Sequence, residues 1–349
     1  MNPKGRNFNL LSLKEYLFFI LVLFLGLPYG ASEVNAQSKQ QFSVHVSGLG
    51  ARTDESFYQS MYKGYLDIKT KYPKIKVGFT DLIPFAEGVS HLDTLGSAGV
   101  DLVITELGLF EASVQVAPKY PNTWFMVMNL MPEMMGKLPS NITANSWRDE
   151  QDGYLAGVVA GAMTKSNKLG VVMGFDYPDM VKLAAGFLLG ARSVNPTVKL
   201  SVIYTGSWTD VQKAYDAAKV LISSGVDVIM HHTNAGGDGL REACKEAKVW
   251  VIGEVLDQSH LLPELTLTSM LNNHPKMFEV AVEDLIARRL KKQVRFFGAQ
   301  EGEKLLAPLN PKVPKEVREK VEGAQQKIAS GELVVPVIQD SKKFDEMWK

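Results

Sequence analysis

His231 and His232 stand side by side at the end of VDVIMHH (226–232) and invite a metal reading. Neighbouring residues of a strand point to opposite faces, so the pair cannot readily share one ion. No acidic or cysteine partner stands nearby at metal-ligand spacing, and no metal is expected. Nucleophilic catalysis has no better support. The chain holds no G-x-S-x-G and no H-E-x-x-H. Its one cysteine, Cys244, sits in the helical pattern LREACKEA and reads as a small buried apolar residue. Glu111, Asp176, His232 and Asp257 are the acids and bases an enzyme would have to use, and they form no recognised motif. Neither an enzyme nor a cofactor is expected.

Noncovalent recognition has stronger candidates. The segment TNAGGDG (233–239), with Thr233, Asn234 and Gly236, links a strand to a helix. Its glycines permit close backbone approach, but it lacks the GxxxxGK[ST] arrangement of a nucleotide hydrolase. The segment GLGARTDESFYQSMYKG (48–64) also opens a helix. Asp54 or Ser56 can cap that helix, and the freed backbone donors favour an anion or a polar ligand edge. Phe57 and Tyr58 could stack on a planar ligand there. Phe175 is a further aromatic candidate, and His232 a polar contact at its strand end.

These residues need elements to hold them. Short β-rich runs alternate with helical runs: strands at 42–48, 75–80, 100–106 and 123–128, with helices between them. Phe57, Met61, Tyr62, Tyr65 and Ile68 share one helical face. After a polar connection at 139–149 the pattern restarts, with a helix at 150–164. Strands follow at 169–174, 198–204, 226–232 and 249–255. The βαβ order implies parallel sheets covered on both faces. The expected architecture is α/β, with two doubly wound lobes joined by a multi-crossover hinge. The N-terminal lobe is expected to take 37–143 plus about 270–292. The C-terminal lobe takes 144–269 plus about 293–349. Ligands bind such sheets at the carboxyl ends of the strands. The loops at 49–58, 81–87, 106–111, 174–178, 205–210, 232–239 and 253–258 should therefore line a shared cleft.

The chain has 349 residues, about right for two domains, and 38 basic residues balance 38 acidic ones. That balance gives no electrostatic footprint for nucleic acid. Lys4, Arg6 and Lys14 precede an apolar run at 16–27, and Val34-Asn35-Ala36 offers a cleavage site before Gln37. This is the pattern of a cleaved signal peptide over 1–36. A lipoprotein needs cysteine as its first mature residue, so Gln37 points to a free periplasmic protein, expected to be a monomer. A single cysteine also excludes an intrachain disulfide.

Asp54-Glu55-Ser56-Phe57, with Gln59 and Gly64, resembles the DxSFNQxxxxG opening of the basic membrane protein family of ABC-transporter solute receptors. The resemblance continues through GYLAGVVAGAMTKSNKLGVVMGF (153–175), GFLLGARSVNP (186–196), YTGSWTD (204–210), GVDVIMHHT (225–233), LDQ (256–258), LTSM (267–270) and IASGELVVP (328–336). It implies a type 1 periplasmic-binding-protein fold, a purine nucleoside or base as ligand, and a membrane permease as partner. It also implies that Phe57 stacks on the base and that Glu111 accepts from a base N–H. Tyr58 replaces the family's Asn, and the second stacking aromatic falls on Leu183. The two charged ribose contacts fall on Val255 and near Asn272. A second branch, with a GSW-type turn and a His-Thr pair, is similar at Trp208 and at His232-Thr233 and looks suited to free bases such as adenine; it implies Trp208 as the planar contact, with Trp147 at the lobe connection as another candidate. A sensory subunit with the same site, or a periplasmic nucleoside-processing enzyme, are the alternative functions.

Overall fold

The computed structural model describes residues 41–348. The expected signal peptide lies outside the described residues. Two parallel sheets form, each from strands separated by helices. The first contains β1 (Ser43–Ser47), β2 (Lys76–Thr80), β3 (Leu102–Thr105), β4 (Trp124–Met128), β5 (Ile142–Trp147) and β11 (Val294–Phe297). Its order is β2-β1-β3-β4-β5-β11. The second contains β6 (Lys168–Met173), β7 (Lys199–Tyr204), β8 (Val228–His232), β9 (Trp250–Gly253) and β10 (Thr266–Ser269), in the order β7-β6-β8-β9-β10. All named strand pairs are parallel, with Val44 opposite both Val77 and Leu102, and Val171 opposite both Val202 and Met230.

Parallel strands covered on both faces read as continuous apolar runs, as LVIT in β3 does, buried at every position. One face of the first sheet carries α1 (Phe57–Lys71) and α8 (His274–Ile286), through Met61, Ile68 and Phe278. The other carries α2 (Gly88–Ser97) and α3 (Phe110–Val116), through Leu92 and Val116. The second sheet packs α4 (Asp149–Met163), α5 (Pro178–Val194) and α9 (Lys315–Ser330) on one face. It packs α6 (Val211–Ser223) and α7 (Gly237–Ala247) on the other. A last helix, α10 (Ser341–Trp348), buries Phe344 in the same core as α5.

The polar connection expected at 139–149 holds a strand instead. Ile142–Trp147 is buried throughout. Its polar side chains have internal partners: Asn145 Nδ2 donates to the Met277 carbonyl at 2.8 Å, and Ser146 Oγ to that of Leu130 at 2.7 Å. A satisfied polar side chain can sit in a core, so its composition misleads. VRFF (294–297) pairs with that strand, Phe297 opposite Trp147. Sheet membership therefore extends the first lobe beyond residue 143 to Trp147, and beyond 292 to Phe297. The chain crosses between sheets after β5, after β10 and after β11, and Met270 bridges Leu306 beside those crossings.

The pair α4 and α5 is unusually close. A Cβ on Gly161 would lie 2.5 Å from the Ala191 carbonyl oxygen, and one on Gly157 would lie 2.8 Å from the Ala191 nitrogen. Gly153 faces the Leu183 carbonyl, while Gly186 and Gly190 face those of Glu150 and Tyr154. Glycines four apart on both helices therefore let two backbones touch, which any side chain would prevent. The contacts climb both helices in the same sense, so the helices run parallel and start together. Gly157→Ala should destabilise the protein by about 1–3 kcal/mol and lower Tm by several degrees. Gly323→Ala in α9, where nothing lies within 4 Å, should be neutral or stabilising by up to about 1 kcal/mol. Equal Tm values for the two variants, read by calorimetry, would refute the close-packing account.

Candidate ligand-binding site between the lobes

A cavity of about 250 Å³ opens where the carboxyl ends of the two sheets face each other. Leu49, Phe85, Leu107, Gly108 and Asn129 reach it from loops after β1 to β4 of the first lobe. Trp147 ends β5 and Asp149 starts α4. Phe175, Tyr177, Asp179, Trp208, His232 and Asn234 reach it from the second lobe, after β6, β7 and β8. Asn272 and His274 enter from the crossover after β10. The lobes already touch here. Gln258 Nε2 donates to the Glu55 carbonyl at 2.9 Å, and Asn129 Nδ2 to Asp179 Oδ2 at 3.4 Å.

Aromatic rings supply most of the wall. Phe175 stacks on Tyr177 with centroids 5.3 Å apart, and Trp208 tilts against Phe175 at 5.4 Å. Phe57 meets His274 edge-on at 4.6 Å on the opposite side. Trp208 is fixed from behind. Its ring fills the space a Cβ on Gly174 would need, and its carbonyl accepts the Gly236 N–H at 3.2 Å.

Charged groups complete the site. Asp149 and Asp179 head the parallel helices α4 and α5, a favourable position for carboxylates. Lys182 Nζ lies 3.0 Å from Asp149 Oδ2 and donates to the Trp147 carbonyl at 2.6 Å. Burial alone would lower the Lys182 pKa, but Asp149 and Glu150 outweigh it and hold the ammonium charged. Asp179 is raised by burial and by Asp149, against the pull of Lys182 and His232. Glu106 is raised by burial, although it accepts the Leu49 N–H at 2.8 Å. His232 Nδ1 lies 2.8 Å from Glu254 Oε2, and His231 Nδ1 lies 3.4 Å from Oε1. The two histidines thus face one carboxylate rather than opposite faces, because His232 is the last residue of β8 and the pleat ends there. The buried Trp147 Nε1, Asn272 Nδ2 and Asn129 Oδ1 have no hydrogen-bond partner.

Of the residues singled out from sequence, Phe57, Tyr58, Trp147, Phe175, Trp208, His232 and Asn234 line the cavity. Five do not. Asp54 spends its carboxylate on the N–H groups of Ser56, Tyr58 and Gln59 at 2.9, 3.1 and 2.9 Å. Those backbone donors are therefore not free for an anion. Glu111 lines an adjoining recess with Phe110 and Met134. The Thr233 N–H donates to Glu254 Oε1 at 3.1 Å, and Gly236 holds Trp208. Asp257 is exposed and accepts from the Ser259 N–H at 3.0 Å. Glu106, Asn129, Asp149, Tyr177, Asp179 and His274 were missed. The only signal for them in the sequence is their place just after a strand or at a helix start. Leu183 is buried within α5, and Val255 is buried and does not line the cavity.

Two doubly wound lobes with a closed aromatic cleft define the type 1 periplasmic-binding-protein fold, the class of ABC-transporter solute-binding proteins. The chain belongs to the Bmp family, described as ABC transporter substrate-binding protein PnrA-like, which matches residues 40–339. A purine-binding protein of Brucella abortus is 30% identical over 315 residues, spanning 89% of this chain and 81% of its own. Basic membrane protein A2 of Borrelia garinii is 26% identical over 308 residues, spanning 86% and 90%. A solute-binding protein from Aeropyrum pernix superposes with a TM-score of 0.77 at 22% identity, covering 88% of this chain and 96% of that one. One from Conexibacter woesei gives 0.70 at 22%, covering 86% and 100%. Family membership implies a small-molecule ligand, a permease partner and a place outside the cytoplasm.

His274 titrates unusually. Burial lowers its pKa from the ordinary value near 6.5 to about 3. The unfolded chain takes up a proton near pH 6.5 and the folded chain does not, so this contribution to stability is lost as pH falls from 6.5 towards 3. The His274 ring resonances should keep their neutral-form positions in an NMR titration from pH 8 to 4. A midpoint near 6.5 would show that the ring reaches water.

Proposed function

We propose that this protein is a periplasmic receptor of an ABC importer that captures a purine-type ligand, a free base such as adenine in preference to a nucleoside. The observation that carries this reading is a cavity walled by flat aromatic rings on both lobes and edged by buried polar atoms that lack partners. A planar heterocycle fits both features. Its faces stack on Phe57, Trp208 and Phe175, and its ring N–H groups and lone pairs complete the unpaired donors and acceptors. Trp147 Nε1 and Asn272 Nδ2 can donate, while Asn129 Oδ1 and the Asp179 carboxylate can accept.

The preference for a base rests on what stands at the positions where the family resemblance expects ribose contacts. Val255 is apolar and buried, and Asn272 is uncharged. A site that recognises hydroxyls needs polar partners for them. The 30% identity to a purine-binding protein supports the ligand class. Phe57, Tyr58, Phe175, Trp208, His232 and Asn234 make up the wall in this reading, with Asp54, Thr233 and Gly236 holding them. Ligand contacts from both lobes would favour the closed state by their differential affinity and no more.

A thermal-shift panel of adenine, guanine, hypoxanthine and their nucleosides tests this reading. A base at 100 times its Kd should add about 2.7 kcal/mol of stability, a rise of several degrees. Nucleosides should shift Tm less. Phe57→Ala and Trp208→Ala should each raise Kd about 10-fold through lost stacking, with folding retained. The absence of a shift with every purine at millimolar concentration would overturn the reading.

A further inference from the structure

We propose that Glu254 is a positioning residue that fixes His232 as a hydrogen-bond donor, so that the site selects heterocycles presenting an acceptor to that imidazole. The acceptor is a ring nitrogen or a carbonyl oxygen. The inference rests on the purine reading above and adds what distinguishes one heterocycle from another.

Glu254 follows β9 and is wholly buried. Among the described residues no Lys or Arg forms an ion pair with it; His231 and His232 are its cation candidates. His232 turns Nδ1 to Oε2 at ion-pair distance, whereas His231 Nδ1 lies 3.4 Å from Oε1 and 3.2 Å from Thr233 Oγ1. They then divide. His231 is entirely enclosed, with Arg241 near it, and burial holds its pKa down. His232 faces Glu254, Asp149 and Asp179, with His231 and His274 close by and Lys182 on the far side of the same aspartates. Burial lowers its pKa, but the carboxylates outweigh burial and leave it raised. Of the two, His232 is therefore the one whose protonated form the carboxylates favour.

Its direction follows from its exposure. Nδ1 is buried against Glu254, yet a tenth of the side chain is open, and the residue lines the cavity. The open part is the far edge of the ring, which carries Nε2. A protonated imidazole can only donate there. The ring sits edge-on to Trp208, with centroids 6.2 Å apart, so a base stacked on the indole brings its rim to His232.

The backbone holds Glu254 at some cost. The Leu256 N–H donates to the Glu254 carbonyl at 2.6 Å, closing a three-residue turn around Val255. Val255 has φ of 61°, a left-handed conformation that β-branched residues avoid. Strain of this kind persists where the surroundings over-determine it and is found at functional sites. The Val255 carbonyl in turn accepts the Asn272 N–H at 3.0 Å, tying this turn to the cavity wall.

The test is calorimetric titration of the exported protein with adenine, hypoxanthine and guanine between pH 5.5 and 9. Wild-type affinity should weaken as His232 loses its proton, above the ordinary value of 6.5. In Glu254→Gln that weakening should move down by one pH unit or more, and Kd at pH 7.5 should rise about 10-fold, as for a lost charge-assisted bond. A merely structural role for Glu254 would not move the pH profile. If that variant does not fold, His232→Gln/Glu254→Gln replaces the ion pair by two neutral amides. It should bind more weakly and with a flat profile. An unchanged profile in either variant overturns this inference and leaves the purine reading standing. Wild-type protein that binds none of the three bases overturns the purine reading, and this inference with it.

Discussion

In the second lobe, carbonyl oxygens of α5 lie where side chains of α4 would otherwise be, at Gly153, Gly157 and Gly161. The exchange is reciprocal, since Gly186 and Gly190 admit the carbonyls of Glu150 and Tyr154. Gly153, Gly157 and Gly161 each meet the residue thirty positions later in α5, Leu183, Phe187 and Ala191. The same offset pairs Asp149 with Asp179 at the helix starts. A close backbone packing deep in the lobe thus places two carboxylates side by side at the mouth of the cleft. It also sets Lys182 beneath them, one turn into α5, where its ammonium reaches Asp149 and the Trp147 carbonyl. Trp147 belongs to the first sheet. The glycine register therefore anchors the hinge as well as the site.

This dependence explains which parts of the site could be read from the sequence. Phe57, Trp208, His232 and Asn234 are visible because they follow strands in a βαβ pattern, and the carboxyl ends of parallel strands face the cleft. Asp149 and Asp179 are not, because an acidic residue in the first turn of a helix has an ordinary explanation as dipole compensation. Only the spatial pairing of α4 with α5 gives them a second role. Glu254 is hidden for a similar reason. Its partners lie 22 and 23 residues upstream, on the neighbouring strand, and no local spacing reports them. Asp54 errs in the opposite direction. It looks available beside an aromatic pair, but the helix start behind it consumes both oxygens.

The lobe boundary shows the same limit. NITANSW reads as a linker because it is polar and follows proline and serine. It is a buried strand because α8 and the loop after β4 supply carbonyls at Met277 and Leu130 for its side chains. Hydropathy reports the average cost of burial, and a pre-placed acceptor removes that cost. In the second lobe β8 and β9 open on apolar residues, VIM and WVI.

The electrostatics of the cleft follow from closure. Lys182 with Asp149 and His232 with Glu254 are buried ion pairs that each bring their own counter-charge. Neither needs a ligand to be neutral, so the lobes can close without one, and they do touch at Gln258 and Glu55. An isolated buried charge would hold the cleft open to water or demand an ionic ligand. Here the excess is carried by Asp179 and Glu106, whose carboxyl pKa values burial pushes up. What the closed cleft leaves unsatisfied is a set of dipoles: an indole N–H, two amides and one edge of an imidazole. A neutral, flat molecule with donors and acceptors around its rim matches that set. An anion would have to displace one of the internal pairs to find a counter-charge.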